Sequence, residues 1–149
     1  MAVTIKVKGN AIDKIKDKLD KVTRDKATLI ACHNLMYKMM DPYVPFDTGT
    51  LAQNVEITDE HIRYKQPYAH YMYGGIVYGP NIPIVQNGVV VGFYSQPGIK
   101  KIPTGEYINY DKAHHPLATS HWDEAMMRTE GYSFTNQILQ ILERNAKKL

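Results

Sequence analysis

Between residues 11 and 40 no proline or glycine occurs, and Ile12, Ile15, Leu19, Val22, Leu29, Ile30, His33, Met36 and Met40 recur at helical spacing. One long helix is predicted there. Asn10 can cap its start by accepting an orphan backbone N–H, and Pro42 with Pro45 forbids continuation beyond Asp41. At ~1.5 Å per residue the helix would run about 45 Å, which requires a kink or a projection beyond the core. Ahead of it, Val3, Ile5 and Val7 alternate with polar residues over 2–8, the pattern of a short strand ended by Gly9-Asn10.

After the helix, Val55-Glu56-Ile57-Thr58 and His61-Ile62-Arg63-Tyr64-Lys65 alternate on either side of Asp59-Glu60, as an antiparallel hairpin would. Pro67 suits a first helical position, so 67–73 reads as a short helix that Gly74-Gly75 stops. Residues 79–105 break with their surroundings: they hold five glycines and four prolines, and only Lys100 and Lys101 are charged. Within them two apolar runs, 82–85 and 89–94, flank Gln86-Asn87-Gly88, and Asn-Gly is a strong hairpin signal because both residues tolerate left-handed angles. A β-arm is predicted whose apolar faces must fold onto the sheet or be buried by a neighbouring molecule. From Ala118 onward helical spacing returns with Trp122, Met126, Phe134, Ile138, Ile141 and Leu142, and Gly131 is a point where it could kink or divide.

A length of 149 residues with 44% apolar and 22% charged residues describes one ordinary packed domain, 1–149, and excludes a disordered or fibrous chain. No apolar run is long enough for a membrane helix, and the alternating start lacks the continuous apolar stretch of a secretory signal. The single cysteine, Cys32, makes an intrachain disulfide impossible, and the expected compartment is cytoplasmic. Net charge is only +3, but residues 1–26 carry eight Lys/Arg against four Asp, or +4, leaving −1 for the rest. A charged helix face in solvent accounts for this, with a surface near phosphate as the functional alternative. Eleven tyrosines against three phenylalanines suit a surface that is wet alone and covered when paired.

Constellations for catalysis are missing from this pattern. His114, His115, His121 and Glu124 lack the spacing of a metal motif, and neighbours Cys32 and His33 point in different directions on a helix. Asp47-Thr48-Gly49 resembles a phosphoryl-accepting tripeptide in isolation, but prolines precede it where a buried strand would be needed. It reads instead as turn chemistry, with Asp47 bonding backbone donors two or three residues on and Gly49 supplying a positive φ. Tyr64, Tyr68, Tyr71, Tyr73 and Tyr78 with His70 form an aromatic cluster with only Arg63 and Lys65 beside it, which favours core and intersubunit contact over stacking on single-stranded nucleic acid.

Three segments together resemble a known family: Pro45-Phe46-Asp47-Thr48-Gly49-Thr50-Leu51, then Tyr68-Ala69-His70-Tyr71-Met72-Tyr73-Gly74-Gly75, then His115-Pro116-Leu117-Ala118-Thr119-Ser120-His121-Trp122. In this order they are similar to the minor capsid proteins of phages and prophages of Gram-positive bacteria, related to tail-completion and head–tail joining proteins of the neck. The third segment departs from the related tail-completion proteins, which place an aromatic-Leu pair and a basic residue before the final helix. The resemblance implies an α+β fold, with the long N-terminal helix and the C-terminal helix on one face of an antiparallel sheet, and subunits joined in a ring at the neck.

On this reading the chain is a structural protein of the head–tail interface in the virion, present in the host cytoplasm during assembly, with no catalysis, no cofactor, no metal and no small-molecule substrate. Its expected partners are copies of itself and other neck and tail proteins. Asp47, Thr48, Gly49 and Leu51 form the turn, and Tyr68, Tyr71, Val89, Val91, Phe93 and Trp122 bury against neighbours or the core. Lys14, Lys18 and Lys21 are the residues expected to face DNA in a channel. The competing reading is a small nucleic-acid-binding module built on those lysines and the tyrosine cluster.

Overall fold

The computed structural model describes Val3 and residues 9–149, with side chains from residue 13 onward. The strand expected over residues 2–8 lies, apart from Val3, outside the described residues. The chain divides into two compact units. One comprises Met1–Asp41, Val55–Tyr64 and Met126–Leu149, and the other Pro42–Asn54 and Lys65–Ala125.

In the first unit the predicted single helix is two: α1 (Gly9–Arg24) and α2 (Lys26–Met40). Asn10 falls inside α1 rather than before it. The break is at Asp25, whose backbone is extended (φ −70°, ψ 119°) and whose carboxylate accepts from the Thr28 N–H at 3.0 Å and the Thr28 hydroxyl at 2.7 Å. A new N-cap therefore competes with helix continuation and wins, because it satisfies two donors at once. Thr28 has no exposed surface, and its oxygen also accepts from Asn145 Nδ2 at 2.9 Å, so its hydroxyl is paired both as donor and as acceptor. Val22, Met40 and Met126 are the buried apolar residues around this point.

The hairpin around Asp59-Glu60 forms as its alternation predicts. Strand β1 (Val55–Ile57) pairs antiparallel with β2 (Ile62–Tyr64), Val55 opposite Tyr64 and Ile57 opposite Ile62. These four are half-buried while Glu56 and Arg63 are exposed, the one-sided pattern of a ladder that covers a core on one face. Its turn is closed by Thr58, whose hydroxyl accepts from the backbone N–H groups of Glu60 and His61.

The second unit starts with a 3-10 turn, Asp41–Tyr43, which opens on the last residue of the first unit, and the short helix α3 (Thr50–Gln53). Helix α4 (Ala69–Gly74) ends at Gly75, whose φ of +77° lets its N–H reach the Tyr71 carbonyl. The predicted arm follows, in two ladders. Strand β3 (Ile76–Gly79) pairs with β6 (Ile102–Tyr107), and nested between them β4 (Ile82–Gln86) pairs with β5 (Val89–Tyr94). Asn87 and Gly88 both have positive φ, 51° and 76°, as a type I′ turn requires.

The fold is α+β, but the strands make three separate two-stranded antiparallel ladders rather than one sheet. Proline explains part of this, since Pro80, Pro83 and Pro103 remove backbone donors where the arm's ladders would have to join. Helix α5 (Trp122–Ala146) runs unbroken through Gly131; its first four residues belong to the second unit and the rest to the first. Buried residues of the second unit are Tyr43, Val44, Leu51, Ala52, Ala118, Trp122 and Ala125.

Candidate assembly surface

The turn at 45–51 is built around one close approach. Gly49 is buried with φ +86°, and a Cβ placed on it would lie 2.7 Å from Phe46 Cζ and 3.0 Å from Phe46 Cε2. With no side chain in the way, the Phe46 ring lies over the glycine and packs against His114 and His115, with centroids 5.1 and 4.7 Å away. His115 Nδ1 is in turn 2.7 Å from the Val44 carbonyl oxygen. Leu51 is buried below the turn. Asp47 is exposed, and among the described residues its carboxylate takes no hydrogen bond; the bond across the turn joins the hydroxyls of Thr48 and Thr50 at 2.8 Å.

A pocket of about 290 Å³ opens here, lined by residues 45–51 with Tyr68, Met72 and Asp111. It holds two carboxylates and two threonine hydroxyls and no histidine, lysine or arginine. His114 and His115 are spent on Phe46, and His121, at φ 47° immediately before α5, packs its ring 4.7 Å from Tyr73. Among the described residues no group of three or more His, Cys, Asp or Glu side chains is close enough to hold a metal ion. Cys32 is half-buried, and burial pushes its thiol pKa up, which keeps it neutral.

The tyrosine cluster separates into distinct roles. Tyr68 is exposed, whereas Tyr71 is half-buried with its ring against His70 and Tyr78. Tyr73 ties α4 to the start of α5: its hydroxyl donates to Asp123 Oδ1 at 2.8 Å, its ring meets Trp122 edge-on at 5.1 Å, and its carbonyl accepts from the His121 N–H. Burial first, and then the Asp123 carboxylate, push the Tyr73 hydroxyl pKa up to about 12. Tyr110 donates to the Met72 carbonyl at 2.6 Å, and burial raises its pKa too. These two tethers span 50 and 38 residues, and nothing in local sequence marks them.

The arm is the largest continuous apolar feature of the second unit. Directly opposed residues of β4 and β5 share a face, so Pro83, Val85, Val90 and Phe93 line one side and Ile82, Ile84 and Tyr94 the other. Val91 sits at the register shift between them. Phe93 is 65% exposed and Val89 62%, and Val85, Val90, Val91 and Tyr94 are all about half exposed or more. Of the residues expected at contacts, then, Trp122 is buried inside its own chain, Tyr71 is half covered, and Tyr68, Val89, Val91 and Phe93 stand open.

Sequence reasoning missed a second open apolar surface, in the first unit. Ile15 and Leu19, counted above as a core stripe, are 67% and 53% exposed, and with Val22, Leu139, Leu142 and Ala146 they line a groove of about 400 Å³. The signal was present in α5, where Leu139 extends the apolar stripe sideways. Lys14, Lys18 and Lys21 are exposed on one face of α1, with Asp13, Asp17 and Asp20 one residue out of step, about 100° round the helix.

No curated protein and no solved structure is similar enough to the chain to count as a match. The family model described as "Minor capsid protein" matches residues 3–139, a span that takes in the turn, the tyrosine segment, the arm and most of α5. The chain thus belongs to the phage minor capsid proteins, structural components of the virion.

Proposed function

We propose that this minor capsid protein is a subunit of the head–tail interface, assembling as a ring with copies of itself and holding neighbouring neck and tail proteins. The observation that carries the reading is the arm, two strands apolar on both faces with most of their side chains in solvent. A lone monomer gains nothing from such a surface and risks edge-to-edge aggregation, whereas a subunit covers it on assembly. Residues 1–149 act as one neck domain, with 79–105 its projecting part, and the turn at Asp47, Thr48, Gly49 and Leu51 holds the chain between α2 and the hairpin. In the infected cell the subunit waits in the host cytoplasm. Light scattering on the purified chain across a wide concentration range, alone and with tail-tube protein, tests this: discrete oligomers support it, and a strict monomer under both conditions counts against it.

The exposed row of Lys14, Lys18 and Lys21 favours one addition, non-specific contact with DNA passing through the ring. A steep salt dependence of DNA binding by the isolated chain would instead favour the nucleic-acid-binding module.

A further inference from the structure

We infer that the arm of one subunit docks in the α1–α5 groove of the next copy, a head-to-tail contact. This deepens, and rests on, the ring-subunit reading. Each chain carries two open apolar surfaces of opposite shape: a projecting ladder presenting Val85, Val90 and Phe93, and a concave groove lined by Ile15, Leu19 and Leu139. An arm-to-arm pairing would cover the ladder and leave the groove wet. Arm in groove covers both with a single kind of contact, and a contact between two different patches is what propagates around a ring.

Area and charge agree with this occupant. The chain exposes 10968 Å² for a mass of 17.0 kDa, while a folded monomer of that mass exposes about 7700 Å². The surplus, about 3000 Å², is enough for the two patches of about 800 Å² that each ring member must bury. The strands β4 and β5 hold no charged residue, and the groove's two charges, Lys18 and Glu143, are of opposite sign and both exposed. Docking therefore buries no unpaired charge.

Two single-cysteine chains on a Cys32→Ser background test the inference, one carrying Val90→Cys on the arm and the other Leu139→Cys in the groove. A short bismaleimide added to their 1:1 mixture should give at least tenfold more cross-linked dimer than either chain alone. Val91→Asp and Leu139→Lys should each weaken self-association at least tenfold with unchanged far-UV circular dichroism, and mixing the two should restore part of it. An oligomer in which Val90→Cys links only to itself, or in which the mixture gains nothing, overturns the docking mode and leaves the ring-subunit reading standing. A strict monomer with no cross-link in any combination overturns both.

Discussion

Replacing Gly49 by alanine probes the turn that carries the family's most compact motif. Two costs are separable. A non-glycine residue at φ +86° pays about 1–2 kcal/mol for left-handed backbone. The new Cβ, 2.7 Å from Phe46 Cζ, also drives the ring off its place against His114 and His115, and two aromatic contacts at about 0.5–1.5 kcal/mol each are then weakened. Together Gly49→Ala should cost about 2–4 kcal/mol and lower Tm by about 5–15 °C for a chain of this length. Urea unfolding followed through Trp122, the single tryptophan and a buried neighbour in the same unit, reads the loss directly. In a Phe46→Ala background the clash is gone, and the same substitution should cost only the backbone part, about 1–2 kcal/mol. An equal cost in both backgrounds would refute the idea that Phe46 is what reserves this position for glycine.

Further outcomes follow from other contacts. Thr28→Val should destabilise by about 1–3 kcal/mol, because it leaves the Asp25 carboxylate and the Asn145 amide short of a partner; Asp25→Ala should cost about 1 kcal/mol, and the pair less than the sum, by equilibrium unfolding. The Tyr73 hydroxyl binds its proton more tightly folded than unfolded, so its contribution is full below about pH 10 and is lost as pH rises toward about 12. Tyr73→Phe should flatten that alkaline limb of the stability curve. Phe93→Ala should leave the monomer's stability within about 0.5 kcal/mol while weakening self-association, seen by light scattering. If α1 contacts DNA, replacing Lys14, Lys18 and Lys21 by alanine should reduce the slope of log affinity against log salt by about 2.7.

Local chemistry made much of this fold legible. The Asn87-Gly88 turn and the period-2 runs around Asp59-Glu60 are short-range signals, and both hairpins stand where those signals fall. The break at Asp25 was hidden because neither proline nor glycine marks it and the apolar spacing passes straight through. Its cause is a capping bond whose worth depends on Asn145, 117 residues away. Strand β6 was hidden for a different reason: Pro103 and Gly105 argue against a strand, and only pairing with β3 overrides them. At the candidate surface, the arm's openness could be foreseen from its lack of charge, whereas the groove could not. Ile15 and Leu19 have the spacing of a buried stripe, and whether anything covers such a stripe is decided by tertiary packing rather than by period.

The nesting of one ladder inside another also orders how the chain acquires its shape. Pairing β3 with β6 unaided closes a loop of 22 residues, 80–101. The inner hairpin, held by its two-residue turn, zips within microseconds and shortens the free span to residues 80–81 and 95–101, lowering the closure entropy by about 0.8 kcal/mol. The segment that ends up farthest from its own strand bases is thus the one that must form first, and a slow-zipping tip would delay the base along with it.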